Sequence, residues 1–137
     1  VAVLREYGQS IGVDMSTFQF EDGSGMSHRN GIAPNGLTEL LFKMKAVPTF
    51  QSFYSSLPVG GVKDRLVGGS LKDRYTSSAY RTKVVAKTGM LTGVNTLAGY
   101  VTAKSGKKYT FAVMVEHRRS SAISGIDSVV TNLINNN

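Results

Sequence analysis

The sequence predicts an α+β fold in which helices come first, three antiparallel strands follow and a helix ends the chain. Apolar residues recur at helical spacing over residues 37–44 and 123–134, which predicts one helix before the strands and one after them. Between these helices, residues 83–88, 94–103 and 108–116 have strand patterns and are separated by short turns that contain glycine. A chain of 137 residues with 41% hydrophobic content is enough for one buried core and too short for two ordinary domains.

The first thirty or so residues predict a helix, a short strand and a loop. Residues 1–11 carry apolar side chains at helical spacing, and Gly12 ends the pattern. Residues 17–21 alternate in the way that is typical of a short strand. Residues 22–31 are dense in turn-forming residues and therefore predict a loop.

The middle of the chain predicts two helices and an irregular segment. Pro34 suits the first position of a helix, because its missing N–H is not needed there. Pro48 ends that helix, and residues 50–57 predict a second, shorter one. Residues 58–80 contain four glycines that indicate turns, so we expect no regular element there.

The composition argues against several classes of function. Sixteen Lys and Arg against nine Asp and Glu give a net charge of +7, which favours anionic partners such as nucleic acid, anionic lipid or acidic cell-wall polymer. The basic residues are scattered and are not interleaved with stacking aromatics, so we predict no nucleic-acid binding. No apolar run approaches the roughly 18 residues of a membrane helix. With no cysteine and two distant histidines, we expect no disulfide and no metal site.

The tripeptide Lys87-Thr88-Gly89 ends the first of the three predicted strands. The lysine supplies a fixed positive charge, the threonine a hydroxyl donor, and the glycine lets a ligand backbone come close. The backbone N–H of Met90 can donate to a developing oxyanion. Together these groups suit a peptide that ends in a free carboxylate, although an ordinary surface turn explains the tripeptide alone equally well.

Four segments of the chain resemble those of a known family and follow the same order, and the last of them contains this tripeptide. They resemble segments of the low-molecular-mass class C penicillin-binding proteins (peptidase family S13), and the resemblance covers most of the chain. The segments are Asp22-Gly-Ser-Gly-Met-Ser followed by Ile32-Ala-Pro, then Ser56-Leu-Pro-Val-Gly-Gly, then Gly69-Ser-Leu-Lys-Asp-Arg, and finally Ala86-Lys-Thr-Gly-Met-Leu with Gly93-Val-Asn-Thr-Leu-Ala-Gly-Tyr.

The resemblance implies the C-terminal half of a penicillin-binding, serine β-lactamase-like transpeptidase domain. It implies a serine DD-carboxypeptidase or DD-endopeptidase that acts on peptidoglycan stem peptides ending in D-Ala-D-Ala, outside the cytoplasm. Such an enzyme is acylated by β-lactams and needs no cofactor. Within this pattern Lys87 is catalytic, Thr88 and Gly89 bind the substrate, and the Met90 N–H forms half of the oxyanion hole. Met90 departs from the Thr or Ser that is usual at its position.

In the family, the Ser-x-x-Lys and Ser-x-Asn motifs lie upstream of the Asp-Gly-Ser-Gly loop, and this chain carries neither of them there. We therefore expect residues 1–137 to be the C-terminal part of the peptidase domain. The expected partner is the N-terminal part of the same enzyme or a second copy, paired along strand 108–116, where Phe111, Val113 and Val115 would otherwise be exposed. A non-catalytic fragment or cell-wall-binding module is the alternative, and a β-lactamase is a third.

The loop that begins at Asp22 is predicted to shape a wall of the active-site cleft, through Asp22, Ser24 and Ser27. Together with His28, these residues include the three residue types of a Ser-His-Asp triad. A triad is defined by the spatial arrangement of its side chains, however, and not by their proximity in one loop sequence. The stretch Ser105-Gly-Lys-Lys spells Ser-x-x-Lys, yet it lies in a turn between two strands. We therefore interpret it as turn chemistry.

Overall fold

The computed structural model describes residues 1–117 and 119–137, and within them the chain forms five α-helices and five strands. The helices are α1 (Ala2–Ser10), α2 (Pro34–Met44), α3 (Phe50–Ser55), α4 (Arg65–Gly68) and α5 (Ile123–Asn135). The strands are β1 (Phe18–Gln19), β2 (Gly31–Ile32), β3 (Val84–Leu91), β4 (Val94–Thr102) and β5 (Lys108–Val115). Single turns of 3-10 helix occur at Met15–Thr17 and Gly69–Leu71.

Strands β3, β4 and β5 form an antiparallel sheet in that order, as the sequence predicts. Lys87 lies opposite Ala98 in the β3–β4 pair. The turn between these strands consists of Thr92 and Gly93, and Gly93 has a φ of 76°, which glycine adopts without steric cost. Because side chains alternate along a strand, this short turn fixes which residues of β3 and β4 share a face.

One face of the sheet packs against α5 and holds the main core. Ile126, Val130 and Ile134 recur every four residues on α5, so they form one apolar stripe, and all three are buried. Burying such a side chain contributes roughly 1.5–3 kcal/mol, so this stripe is a major source of stability. The sheet and the preceding loop contribute Leu71, Val84, Ala86, Leu97, Val101 and Phe111.

The opposite face of the sheet packs against α2 and α3, and Tyr100 of β4 lies at their junction. Its hydroxyl donates a hydrogen bond to the Leu41 carbonyl at 2.7 Å. Its ring contacts those of Phe50 and Tyr54, with centroids 5.5 and 5.4 Å away. Burial raises the pKa of Tyr100 to about 12, so the phenol keeps the proton that it donates.

The strand predicted at 17–21 is shorter in the structure. The 3-10 turn Met15–Thr17 occupies its start, and β1 then pairs with β2, which the sequence assigned to the end of the loop and the residue after it. The Asn30 side-chain oxygen accepts hydrogen bonds from the backbone N–H groups of Glu21 and Asp22, at 2.8 and 3.2 Å. The Asn30 side chain therefore binds the backbone N–H groups that would donate to a neighbouring strand if β1 were longer.

Strand β3 begins one residue after the predicted segment 83–88 starts and continues beyond it to Leu91. Gly89 is a poor strand former, but it lies opposite Thr96 of β4, and the pairing continues to the turn. The tripeptide therefore lies inside a strand and not at its end. In the segment predicted to be irregular, the structure adds α4 and the 3-10 turn Gly69–Leu71.

In the described part of the chain, β5 pairs with β4 alone, so its outer edge has no strand partner there. The expectation that this leaves an exposed apolar patch is wrong. Phe111 is only 6% exposed, and Val113 and Val115 are partly buried against the same core, which α5 covers.

Candidate functional site

The outer edge of β3 is covered only at its start. The loop at residues 58–60 donates to the Val84 carbonyl at 2.8 Å and accepts from the Ala86 N–H at 3.0 Å. Backbone groups alternate in direction along an antiparallel strand, so those of Thr88 and Met90 point to this same edge. Beyond Ala86, no backbone group in residues 1–117 or 119–137 pairs with the edge. The Thr88 N–H and the backbone groups of Met90 can therefore pair with an extended ligand.

Lys87 places a positive charge at this edge. Its side chain is exposed, and Nζ donates a hydrogen bond to the Thr88 carbonyl at 2.7 Å. Lys87 lies on the α2 side of the sheet, whereas Thr88 and Met90 project to the α5 side. The strand thus presents an ammonium group, a hydroxyl and an edge N–H within four consecutive residues.

An apolar cavity of about 510 Å³ lies on the α2 side of the strand. Lys87, Thr88 and Gly89 form part of its wall. Most of the remaining wall is apolar, with Leu4, Met15, Phe18, Leu41 and Met44 among its members. The motif therefore borders a space that is large enough to hold several side chains of a ligand or of another polypeptide segment.

A side chain at position 89 would collide with the present position of the Thr96 hydroxyl on β4. A Cβ at this position would lie far inside the van der Waals contact distance of the Thr96 Oγ1. The sequence predicts that a glycine here lets a ligand approach. The structure gives a reason for this glycine that needs no ligand.

On the other side of β3, a smaller cavity of about 130 Å³ borders the same strand. Ser70, Arg74, Thr88 and Met90 are among the residues that line it. The Thr88 and Ser70 hydroxyl oxygens lie 2.9 Å apart and share a hydrogen bond. The Arg74 guanidinium donates from Nε to both carboxylate oxygens of Asp127 on α5, at 3.0 and 3.2 Å.

Sequence reasoning gave no role to Ser70, Arg74 or Asp127. Two weak signals pointed to them. Ser70 and Arg74 belong to one of the four segments that resemble the family, and Asp127 is the single charged residue in the α5 sequence. Neither signal names a partner, because the contacts cross 18 residues for Ser70 and 53 for Arg74.

The predicted cleft-shaping residues use their side chains to fold their own loop. Asp22 accepts from the Gly25 N–H at 2.9 Å and from the Asn30 amide at 3.0 Å. The Asn30 contact, followed by the Gly25 amide, holds the pKa of the Asp22 carboxyl below its usual value. Ser24 and Ser27 accept from the backbone two residues further on. Their role in shaping a cleft stays a prediction.

His28 brings this loop towards the end of β3. It lines a cavity of about 310 Å³ together with Thr92 and Gly93, the two residues of the β3–β4 turn. The Asp22 carboxylate is held by Asn30 and Gly25, so the described residues form no Asp–His pair there. The Ser105-Gly-Lys-Lys stretch, which spells Ser-x-x-Lys, lies in the β4–β5 turn as predicted. The Ser105 hydroxyl accepts from the Lys107 N–H at 3.4 Å.

Comparison with solved structures establishes the fold. Penicillin binding protein 4 (dacB) from Haemophilus influenzae superposes with a TM-score of 0.82 at 23% identity, over 97% of this chain and 31% of that one. The penicillin G-acylated predatory endopeptidase Bd3459 from Bdellovibrio bacteriovorus gives 0.73 at 21%, over 100% and 39%. A class A β-lactamase from Bacteroides cellulosilyticus gives 0.65 at 19%, over 100% and 55%. The chain therefore has the expected penicillin-binding, serine β-lactamase-like fold.

Sequence comparison gives the family. Residues 1–134 match the D-Ala-D-Ala carboxypeptidase 3 (S13) family, and the chain belongs to it. It is 33% identical over 130 residues to a D-alanyl-D-alanine carboxypeptidase of Actinomadura sp. (strain R39), a match that covers 95% of the chain and 24% of that relative. It is 32% identical over 134 residues to carboxypeptidase DacB of Mycolicibacterium smegmatis, covering 93% and 28%. The chain thus spans about a quarter of the length of these relatives.

Among the described residues, no helix has both the length and the apolar character that crossing a bilayer requires.

Proposed function

We propose that this chain is the C-terminal part of a serine DD-carboxypeptidase/endopeptidase that acts on peptidoglycan stem peptides ending in D-Ala-D-Ala. It supplies the strand that binds the substrate carboxylate, and the rest of the polypeptide supplies the nucleophilic serine. The observation that carries this proposal is the open edge of β3, where Lys87, Thr88 and Met90 present a charge, a hydroxyl and an amide. Since peptidoglycan is the substrate, the enzyme works outside the cytoplasm.

The substrate peptide lies along this edge as an additional strand. The Met90 N–H donates to the carbonyl oxygen of the scissile bond, and this hydrogen bond strengthens as negative charge develops there. The Thr88 hydroxyl donates to the terminal carboxylate, and the Lys87 ammonium attracts the same group. These contacts orient the peptide before any bond changes.

The serine oxygen then attacks the carbonyl carbon, and the bond to the nitrogen of the leaving D-Ala breaks. The serine proton passes, through the catalytic base, to the departing amine, and the acyl-serine is later hydrolysed by water. β-Lactams acylate the same serine by opening their ring. The apolar cavity beside Lys87 borders the same strand and can receive an apolar part of the ligand or of the rest of the polypeptide.

The test is acylation by a fluorescent penicillin, measured on the longer polypeptide that contains this chain. Lys87→Ala removes the charge that faces the carboxylate, so we expect acylation to slow by more than about tenfold, the factor that each 1.4 kcal/mol provides. Lys104→Ala removes an exposed lysine from the β4–β5 turn and should leave the rate within a few-fold of wild type. A Lys87→Ala rate equal to that of Lys104→Ala would reject the assignment.

The isolated 137-residue chain provides the complementary test. Mass spectrometry after incubation with penicillin should show no penicilloyl adduct, because no serine of this chain has the Ser-x-x-Lys context on a helix. An adduct on Ser24 or Ser105 would overturn the proposal that the rest of the polypeptide supplies the nucleophilic serine. If the longer polypeptide also forms no adduct but sediments with purified cell wall, the alternative of a non-catalytic wall-binding module replaces the enzyme.

A further inference from the structure

The Thr88 hydroxyl has a partner within the chain before any substrate arrives. Its oxygen lies 2.9 Å from that of Ser70, and either hydroxyl can donate in this contact. A bound carboxylate accepts hydrogen bonds and donates none at neutral pH. When Thr88 donates its proton to such a ligand, the hydrogen bond with Ser70 persists only if Ser70 becomes the donor.

Ser70 is held in place from two sides. It occupies the 3-10 turn Gly69–Leu71, and the next residue, Leu71, is fully buried in the main core. The Leu71 carbonyl accepts from the Arg74 N–H at 3.0 Å, and the Arg74 side chain is in turn bound to Asp127. The backbone of the turn that carries Ser70 is therefore held relative to α5 and the core, and the exposed Ser70 hydroxyl is positioned by its contact with Thr88.

The small cavity on the α5 side of β3 brings Ser70 and Thr88 together with Arg74. Ser70, Arg74 and Thr88 line the same small cavity, and the Met90 side chain lines it too. The cavity is thus on the face of β3 to which the Thr88 side chain projects. Ser70 acts on the ligand only through Thr88, so its role is to position that residue.

We infer that Ser70 is a positioning residue of the carboxylate-binding strand. Its hydroxyl donates to Oγ1 of Thr88 and thereby directs the Thr88 proton towards the substrate carboxylate, while the Arg74–Asp127 ion pair holds the Ser70 turn against α5. This inference rests on the proposed function, because it assumes that a carboxylate binds Thr88.

The experiment compares acylation of the full polypeptide by benzylpenicillin and by its methyl ester, which lacks the carboxylate. Ser70→Ala should slow acylation by the acid roughly three- to tenfold, the effect of one hydrogen bond of ordinary net strength. Acylation by the ester should change less than about twofold. Ser70→Thr keeps a hydroxyl and should restore the rate with the acid. Ser78→Ala, an exposed serine of the same segment, is the matched control and should change neither rate.

A double-mutant cycle separates a positioning role from a structural one. In a Thr88→Val background, Ser70→Ala should cause no further loss with the acid, because the hydroxyl through which Ser70 acts is gone. Equal losses with acid and ester, or an additive loss in the cycle, would overturn the inference. If the wild-type polypeptide is acylated and Ser70→Ala leaves the rate unchanged, the inference about Ser70 is overturned and the proposed function stands. Failure of the wild-type polypeptide to react with either compound would overturn both.

Discussion

Arg74 and Asp127 form an ion pair that joins the loop before β3 to the C-terminal helix. The Arg74 Nε lies 3.0 and 3.2 Å from the two Asp127 carboxylate oxygens, and the side chains are only 15% and 27% exposed. The guanidinium carbon also lies 5.6 Å from the centre of the Tyr75 ring. The Tyr75 hydroxyl is buried without a hydrogen-bond partner among the described residues, and burial, followed by the nearby Asp127 carboxylate, raises its pKa. Loss of the Arg74 or the Asp127 charge would therefore leave the other charge unpaired and poorly hydrated.

The first prediction concerns this pair. Asp127→Asn leaves a mostly buried guanidinium without its counter-charge, so we expect the free energy of unfolding to fall by about 1–3 kcal/mol. Denaturant unfolding of the full polypeptide measures it. Asp73→Asn is the control, because Asp73 pairs with Lys63 on the surface, where both side chains are more than half exposed. Equal effects of the two substitutions would contradict the structural importance of the buried pair.

The second prediction separates the backbone of Met90 from its side chain. Met90→Pro removes the N–H, and an edge strand tolerates proline where its N–H points away from the sheet. Because removal of one oxyanion donor typically slows catalysis by about 10²–10³-fold, we expect a loss of that order in β-lactam acylation. Met90→Ala keeps the N–H and should stay within a few-fold of wild type. Unfolding curves of both variants check that the fold is intact, and a Met90→Pro variant acylated at the wild-type rate would refute the backbone role.

The third prediction tests why position 89 is glycine. Gly89→Ala places a methyl group against the Thr96 Oγ1, inside van der Waals contact, and we expect this overpacking to lower the free energy of unfolding by roughly 1–3 kcal/mol. Adding Thr96→Ala removes the clashing oxygen and should recover most of that loss. Thermal unfolding of the single and double variants measures both. No recovery in the double variant would mean that Thr96 is not the reason for the glycine.

The fourth prediction concerns the outer edge of β5. Ala98 uses its backbone groups on the β3 side, so those of its partner Ala112 point away from β4 to the unpaired edge. We expect the isolated chain to associate along this edge with a second copy, and we expect the rest of the polypeptide to pair there in the whole enzyme. Ala112→Pro removes one edge donor and should shift the chain towards monomer in light scattering, whereas Ala112→Ser should not. A wild-type chain that is monomeric and well folded at high concentration would refute the expectation.

The sequence by itself determined the helices and strands whose patterns depend on neighbouring residues. Pro34 marks the start of α2, and the stripe at Ile126, Val130 and Ile134 predicts α5, because both signals lie within one or two helical turns. Lys87-Thr88-Gly89 and its three companion segments also identified the family, since these residues are local in the chain. Strand ends were less well predicted, because β3 continues past Gly89 only through its pairing with β4.

Only the tertiary structure decided which backbone and side-chain groups of the motif are available. The open edge at Thr88 and Met90 exists because the loop at residues 58–60 pairs with β3 and stops at Ala86, a contact between segments about 25 residues apart. The partners of Thr88 and Arg74 are likewise distant, at Ser70 and Asp127. Periodicity reports the face on which a side chain lies but not what lies opposite it. Those contacts depend on how the loop, the sheet and α5 pack together, which no local pattern specifies.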